Sequence, residues 1–99
     1  MIKHVISWTL SAEDAAGKSA AFTAIAEGLG GLPHHIPELK SIHVGQDVDE
    51  TDGNWDVVAI MDFESTAGLA AYQVHPEHQK VAAVIRSHTT GRAVVDFEF

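Results

Sequence analysis

The stretch WDVVAIMDFE constrains this chain more than any other, because its middle, Val57 to Met61, is five apolar residues in a row. Successive side chains of a strand point to opposite faces of its sheet, so a strand without polar alternation needs cover on both faces. Whatever lies on one side of this strand, something else must lie on the other.

The flanking segments supply the rest of a sheet and one layer of helices. In IKHVISWTL the even positions Ile2, His4, Ile6, Trp8 and Leu10 alternate with Lys3, Val5, Ser7 and Thr9, the period of two of a half-buried strand that carries a histidine on its apolar face. Ser11 with Asp14 three residues later reads as a capping box. Phe22, Ile25, Ala26 and Leu29 follow as the buried stripe of a helix that stops at Gly28, Gly30, Gly31 and Pro33. HHIPEL reads as a connector, and SIHVGQDV as a short strand with Ile42, Val44 and Val48 on one face. DETDGN is a turn-rich acidic loop pivoting at Asp52-Gly53. After the third strand, STAGLAAYQV is helical, restarts at Pro76 and continues as EHQKVAAVIRSH. RAVVDFEF closes as a strand, with Ala93, Val95, Phe97 and Phe99 alternating against Arg92, Asp96 and Glu98.

The order β-α-β-β-α-β predicts an α+β, ferredoxin-like fold over residues 1–99 as a single domain: an antiparallel four-stranded sheet with helices on one face. That leaves the second face of the Val57–Met61 strand bare. A second copy packed face to face would cover it, so the pattern predicts a homodimer in which two sheets close a dimeric α/β barrel. Composition agrees, since a chain of 99 residues without cysteine has only a small core and no disulfide to support it.

Charge narrows the partners. Fourteen acids against six scattered bases give a net charge of −8, which disfavours nucleic acid and anionic membrane surfaces. The opening segment is broken by His4, Ser7 and Thr9, unlike a secretory leader, and no apolar run approaches the ~20 residues of a membrane span. The expected setting is soluble and cytoplasmic.

Four pieces in register, IKHVISWTL, DFES, AYQVHPEH and VVDFEF, resemble the stress-responsive dimeric A/B barrel (Dabb) family over nearly the whole chain. The strand-one histidine and the Y-x-x-H-P-x-H segment carry the resemblance most specifically. It implies a dimeric barrel of ferredoxin-like protomers. Through its similarity to the olivetolic acid cyclase-type polyketide cyclases, it also implies ring closure by aldol chemistry without cofactor or metal. Tyr72 and His78 match the catalytic pair of those enzymes, and His4 matches their pocket histidine. A further pocket histidine of theirs falls at Val57.

The residues themselves allow that chemistry. His78 shares a helical stripe with Val81, Ala82 and Ile85, so its imidazole sits with the core and is suited to take a proton from carbon beside a carbonyl. Tyr72 could orient it or donate to the developing enolate oxygen, since a phenol of pKa ~10 stays protonated at neutral pH. The bland alternative is a packed histidine satisfied by a backbone carbonyl. His4 and Trp8 share one strand face and either floor a pocket or fill it. His75, just before Pro76, is pushed out of helical geometry and reads first as the start of the next helix and second as a flanking substrate-binding residue. His75 and His78 form H-x-x-H, but the proline break spoils their common face, so no metal is expected. His34 and His35 read as solvated, His43 as facing the less apolar side of its strand, and Asp47, Asp49, Glu50 and Asp52 as a solvated loop without calcium-loop register. No phosphate-binding glycine loop, nucleophile elbow or cysteine nucleophile is present, and no cofactor is expected. The reading is a small hydrophobic or aromatic carbonyl ligand, with two alternatives: a non-enzymatic binding protein, or a cofactor-free or haem-using monooxygenase.

Overall fold

The computed structural model describes residues 1–49 and 51–99. Strand β1 (Ile2–Leu10) leads to helix α1 (Ala15–Gly30), a 3-10 turn at Leu32–His34, and strands β2 (Ser41–Gln46) and β3 (Val57–Phe63). Helices α2 (Thr66–Val74) and α3 (Pro76–His88) then lead to β4 (Thr89–Glu98). The sheet order is β2-β3-β1-β4, with every neighbouring pair antiparallel. This is the expected ferredoxin-like α+β architecture. Among the described residues no helix is long and apolar enough to cross a membrane.

The period of two in β1 is realised in full: Ile2, His4, Ile6, Trp8 and Leu10 are buried beneath the helices, and the odd positions are half-buried. β3 repeats the pattern, with Val57, Ala59, Met61 and Phe63 buried. α1 adds Ala21, Ile25 and Leu29 to the core, with Phe22 packed at its margin.

Two local expectations are corrected. Ser11 does not cap α1: its N–H donates to the carbonyl of His88, while Asp14 is the cap and its Oδ1 accepts from Gly17 N at 2.6 Å. A carboxylate beside the first turn satisfies the free N–H groups there without help from Ser11. The HHIPEL connector leaves His34 and His35 exposed as expected, and it also closes the core beneath α1, for Ile36 and Leu39, with Leu32 before them, are buried. Val48 is not part of the β2 face: the strand ends at Gln46 and Val48 is 94% exposed. Of the acidic loop, Glu50 lies outside the described residues.

The register separates the two faces of the sheet. Cross-strand partners share a face, so on the side away from the helices Val95, Val5, Ile60 and His43 form one row across all four strands, and Ala93, Ser7, Val58 and Gly45 form the next. A third row joins Phe97, Lys3, Asp62 and Ser41. There Lys3 Nζ stands 3.3 Å from Asp62 Oδ1, and the Ser41 hydroxyl donates to Asp62 Oδ2 at 2.8 Å. Val95 is 63% and Phe97 44% exposed, so the second apolar face that β3 foretold is open in the single chain.

Candidate functional site

Between the helix-side face of the sheet and helices α2 and α3 lies a cavity of about 590 Å³. Ile6, Trp8, Leu29, Met61, Ala82 and Ile85 give it apolar walls, and His4, Tyr72, His78, Arg86 and Arg92 give it polar groups. The break before Pro76 builds it. α2 buries Leu69 and Tyr72, three residues apart on one face. The extended backbone at His75 (φ −67°, ψ 136°) then redirects the chain, so that His78, Ala82 and Arg86, four residues apart in turn, run along the cavity on α3.

Tyr72, 1% exposed, is the centre of a ring cluster: Phe63 lies 5.1 Å from its ring centroid, His78 4.4 Å and His4 6.5 Å. Its hydroxyl has no hydrogen-bond partner among the described residues, and burial pushes its pKa above the ordinary phenol value. It therefore stays protonated throughout the physiological range.

His78 Nδ1 lies 3.1 Å from the carbonyl oxygen of Gln73. A carbonyl only accepts, so Nδ1 carries the proton and donates, which leaves the lone pair of the neutral ring on Nε2. Burial lowers the pKa of His78. The hydrogen bond to Gln73 opposes that shift, and the nearby charges of His4, Arg92 and Arg86 add to it. The ring is thus held as a neutral base in one tautomer.

His4 is 4% exposed on β1, and its Nδ1 is paired with the carboxylate of Asp96, its direct cross-strand partner on β4. A carboxylate only accepts, so Nδ1 of His4 carries a proton toward Asp96 and the pair holds the ring from the side. Trp8, buried at 3% exposure, lies on the same strand face at the arginine-bearing end, directly across from Arg92.

Four of the five sequence-derived site residues, His4, Trp8, Tyr72 and His78, line this one cavity. His75 is not among the lining residues. Its Nδ1 accepts from Glu77 N at 3.1 Å and caps α3. The two rings of the H-x-x-H pair thus bind different backbone groups, and no group of three metal-ligating side chains exists among the described residues. Sequence reasoning missed Asp96, Arg86 and Arg92. Asp96 was visible as a polar residue in the β4 alternation, but its pairing with His4 depends on a register spanning 92 positions. The arginines carried a simpler signal, as the only two in the chain.

The model of the stress responsive A/B barrel domain (Dabb) family matches residues 2–99. A dimeric protein of unknown function and ferredoxin-like fold from Bacteroides fragilis is similar at 25% identity and a TM-score of 0.87, over 99% of this chain and 95% of that one. A dimeric ferredoxin-like protein of unknown function from Thermobifida fusca is similar at 29% identity and a TM-score of 0.78, over 99% and 90%. The hydroxynitrile lyase of Passiflora edulis shares the fold at 19% identity and a TM-score of 0.76, over 97% and 90%. No curated protein matches the chain.

Proposed function

Because the chain belongs to the stress responsive A/B barrel domain (Dabb) family, we propose that it acts as a homodimer whose protomers each take a small hydrophobic or aromatic carbonyl compound into the cavity and catalyse proton transfer on it. The observation that carries this reading is the pairing at the cavity wall of a neutral, tautomer-fixed imidazole with a protonated phenol, their ring centroids 4.4 Å apart. His78 Nε2 takes a proton from the carbon next to the carbonyl. The electron pair moves into the carbonyl, and the Tyr72 hydroxyl donates to the enolate oxygen that forms. The enolate carbon then attacks a second carbonyl of the same molecule, closing a ring and leaving an alkoxide that takes the proton back from His78, or it is reprotonated by His78 at another position. His4, held by Asp96, and Trp8 position the substrate, and the chain's own residues suffice for the step without a metal or cofactor.

Exchange of carbon-bound hydrogen needs no knowledge of the natural substrate. With a panel of aryl methyl ketones and β-diketones in D2O, the protein should accelerate α-deuteration followed by proton NMR. His78→Ala should lose about 10²-fold or more of that acceleration, the lower range of a positioned general base. Tyr72→Phe should lose part of it while folding normally. No acceleration of any ketone by the intact protein, or full activity in His78→Ala, would overturn the proposal.

A further inference from the structure

The chain carries four lysines and two arginines. Each lysine stands beside a carboxylate: Lys3 by Asp62 at 3.3 Å, Lys18 by Asp56 at 3.3 Å, Lys40 by Glu64 at 3.9 Å and Lys80 by Glu77 at 3.1 Å. Neither arginine has an ion-pair or hydrogen-bond partner among the described residues, and both line the cavity. In a protein of net charge −8, which has acids to spare, the two basic side chains without an ion-pair partner among the described residues are the two that share a pocket.

Their placement is convergent. Arg86 continues the α3 row of His78 and Ala82, and Arg92 stands across from Trp8 at the start of β4, so they approach the cavity from two walls joined by Thr89, Thr90 and Gly91. A guanidinium presents a planar fork of donors that fits a carboxylate or phosphate oxygen pair, and two of them confer charge selection that the acidic surface otherwise opposes. The apolar walls lie beyond them, with Tyr72 and His78 alongside.

Resting on the cavity reading above, we infer that the ligand is an anion, a hydrophobic molecule bearing a carboxylate or a similar oxyanion, which Arg86 and Arg92 hold at the cavity mouth while its carbonyl reaches Tyr72 and His78. The arginines are binding residues that set polarity and direction: the charged end stays at the mouth and the apolar end enters.

The test is isothermal titration with a series of straight-chain and aryl carboxylates and their primary amides, on the wild type, Arg86→Gln, Arg92→Gln and the double variant. Shifts of the Ala82 and Thr89 amide NMR signals locate binding in the cavity. Carboxylates should bind about tenfold or more tighter than their amides at low salt, the worth of one charge-assisted hydrogen bond, and added salt should narrow the gap. The double variant should lose the preference while keeping its affinity for amides. If acids and amides bind equally to the wild type, or the double variant keeps the preference, the inference falls and the cavity reading stands. If no member of either series binds at millimolar concentration, both fall. If the variants dissociate the dimer without changing the preference, the arginines serve the interface and the inference is overturned.

Discussion

At the scale of single residues, the proposed chemistry turns on the proton of His78. Burial is the larger influence on its pKa and lowers it from the ordinary value; the carbonyl of Gln73 pulls the other way, and His4, Arg92 and Arg86 push it further down. The neutral form is therefore the one the fold favours. The stabilisation that comes with it is complete above the unfolded value of ~6.5 and is lost as pH falls through the lower folded pKa. The deuteration rate at low ketone concentration should rise with pH to a plateau, with a midpoint below ~6.5. The Cε1 proton of His78 should titrate with the same midpoint, and a midpoint at or above the ordinary histidine value would refute the assignment. His78, His4 and Trp8 were legible in the sequence because spacing puts them on apolar faces, and Tyr72 was singled out through the Y-x-x-H-P-x-H resemblance. Asp96 was not, since nothing local to DFEF says which residue of β1 stands beside it.

At the scale of elements, the break at Pro76 turns one amphipathic stretch into two helices that hold Tyr72 and His78 against each other. The sequence announced the break, since proline starts helices well and forbids helical geometry in the residue before it. It did not announce that the imidazole of His75 would serve as the cap. That role keeps His75 out of the cavity lining. His75→Ala should remove one cap hydrogen bond and cost about 1 kcal/mol, which lowers the Tm of a domain this size by roughly 4–8 °C. His75→Asp should restore it, and calorimetry reads both. Affinity for the carboxylate series should stay within about twofold in each variant, under half of a tenfold step in free energy. A tenfold loss with unchanged Tm would instead make His75 a binding residue. β4 shows the limit of pattern reading at this scale. Its alternation was plain, but an alternating strand can turn either set inward, and only the pairing with β1 puts Asp96 and Arg92 toward the helices and Val95 and Phe97 away.

At the scale of the whole molecule, the five apolar residues from Val57 to Met61 need two covers, and the fold provides one. Val57, Ala59 and Met61 meet the helices, while Val58 and Ile60 join Val5, Val95 and Phe97 on the open face. Lys3 paired with Asp62, and its ammonium 4.3 Å from the Phe99 ring centroid, border that patch with the only close ion pair on the face among the described residues. An apolar patch with a polar rim is the anatomy of an interface between copies. The Bacteroides and Thermobifida relatives are described as dimeric. Sedimentation equilibrium at micromolar concentration should therefore give about twice 10.6 kDa. Val95→Asp places a carboxylate in the middle row, where a second sheet would strip its water at a cost of several kcal/mol, and should shift the mass toward 10.6 kDa. Val74→Asp makes the same chemical change at an exposed valine of α2, in the helix layer, and should leave the mass unchanged. A wild-type monomer would overturn the pairing of open faces, and so would equal dissociation by both variants. The cavity lies wholly on the helix side of the sheet. A monomeric Val95→Asp protein that still binds the carboxylate series would then show that the interface supports the fold and that each protomer holds its ligand alone.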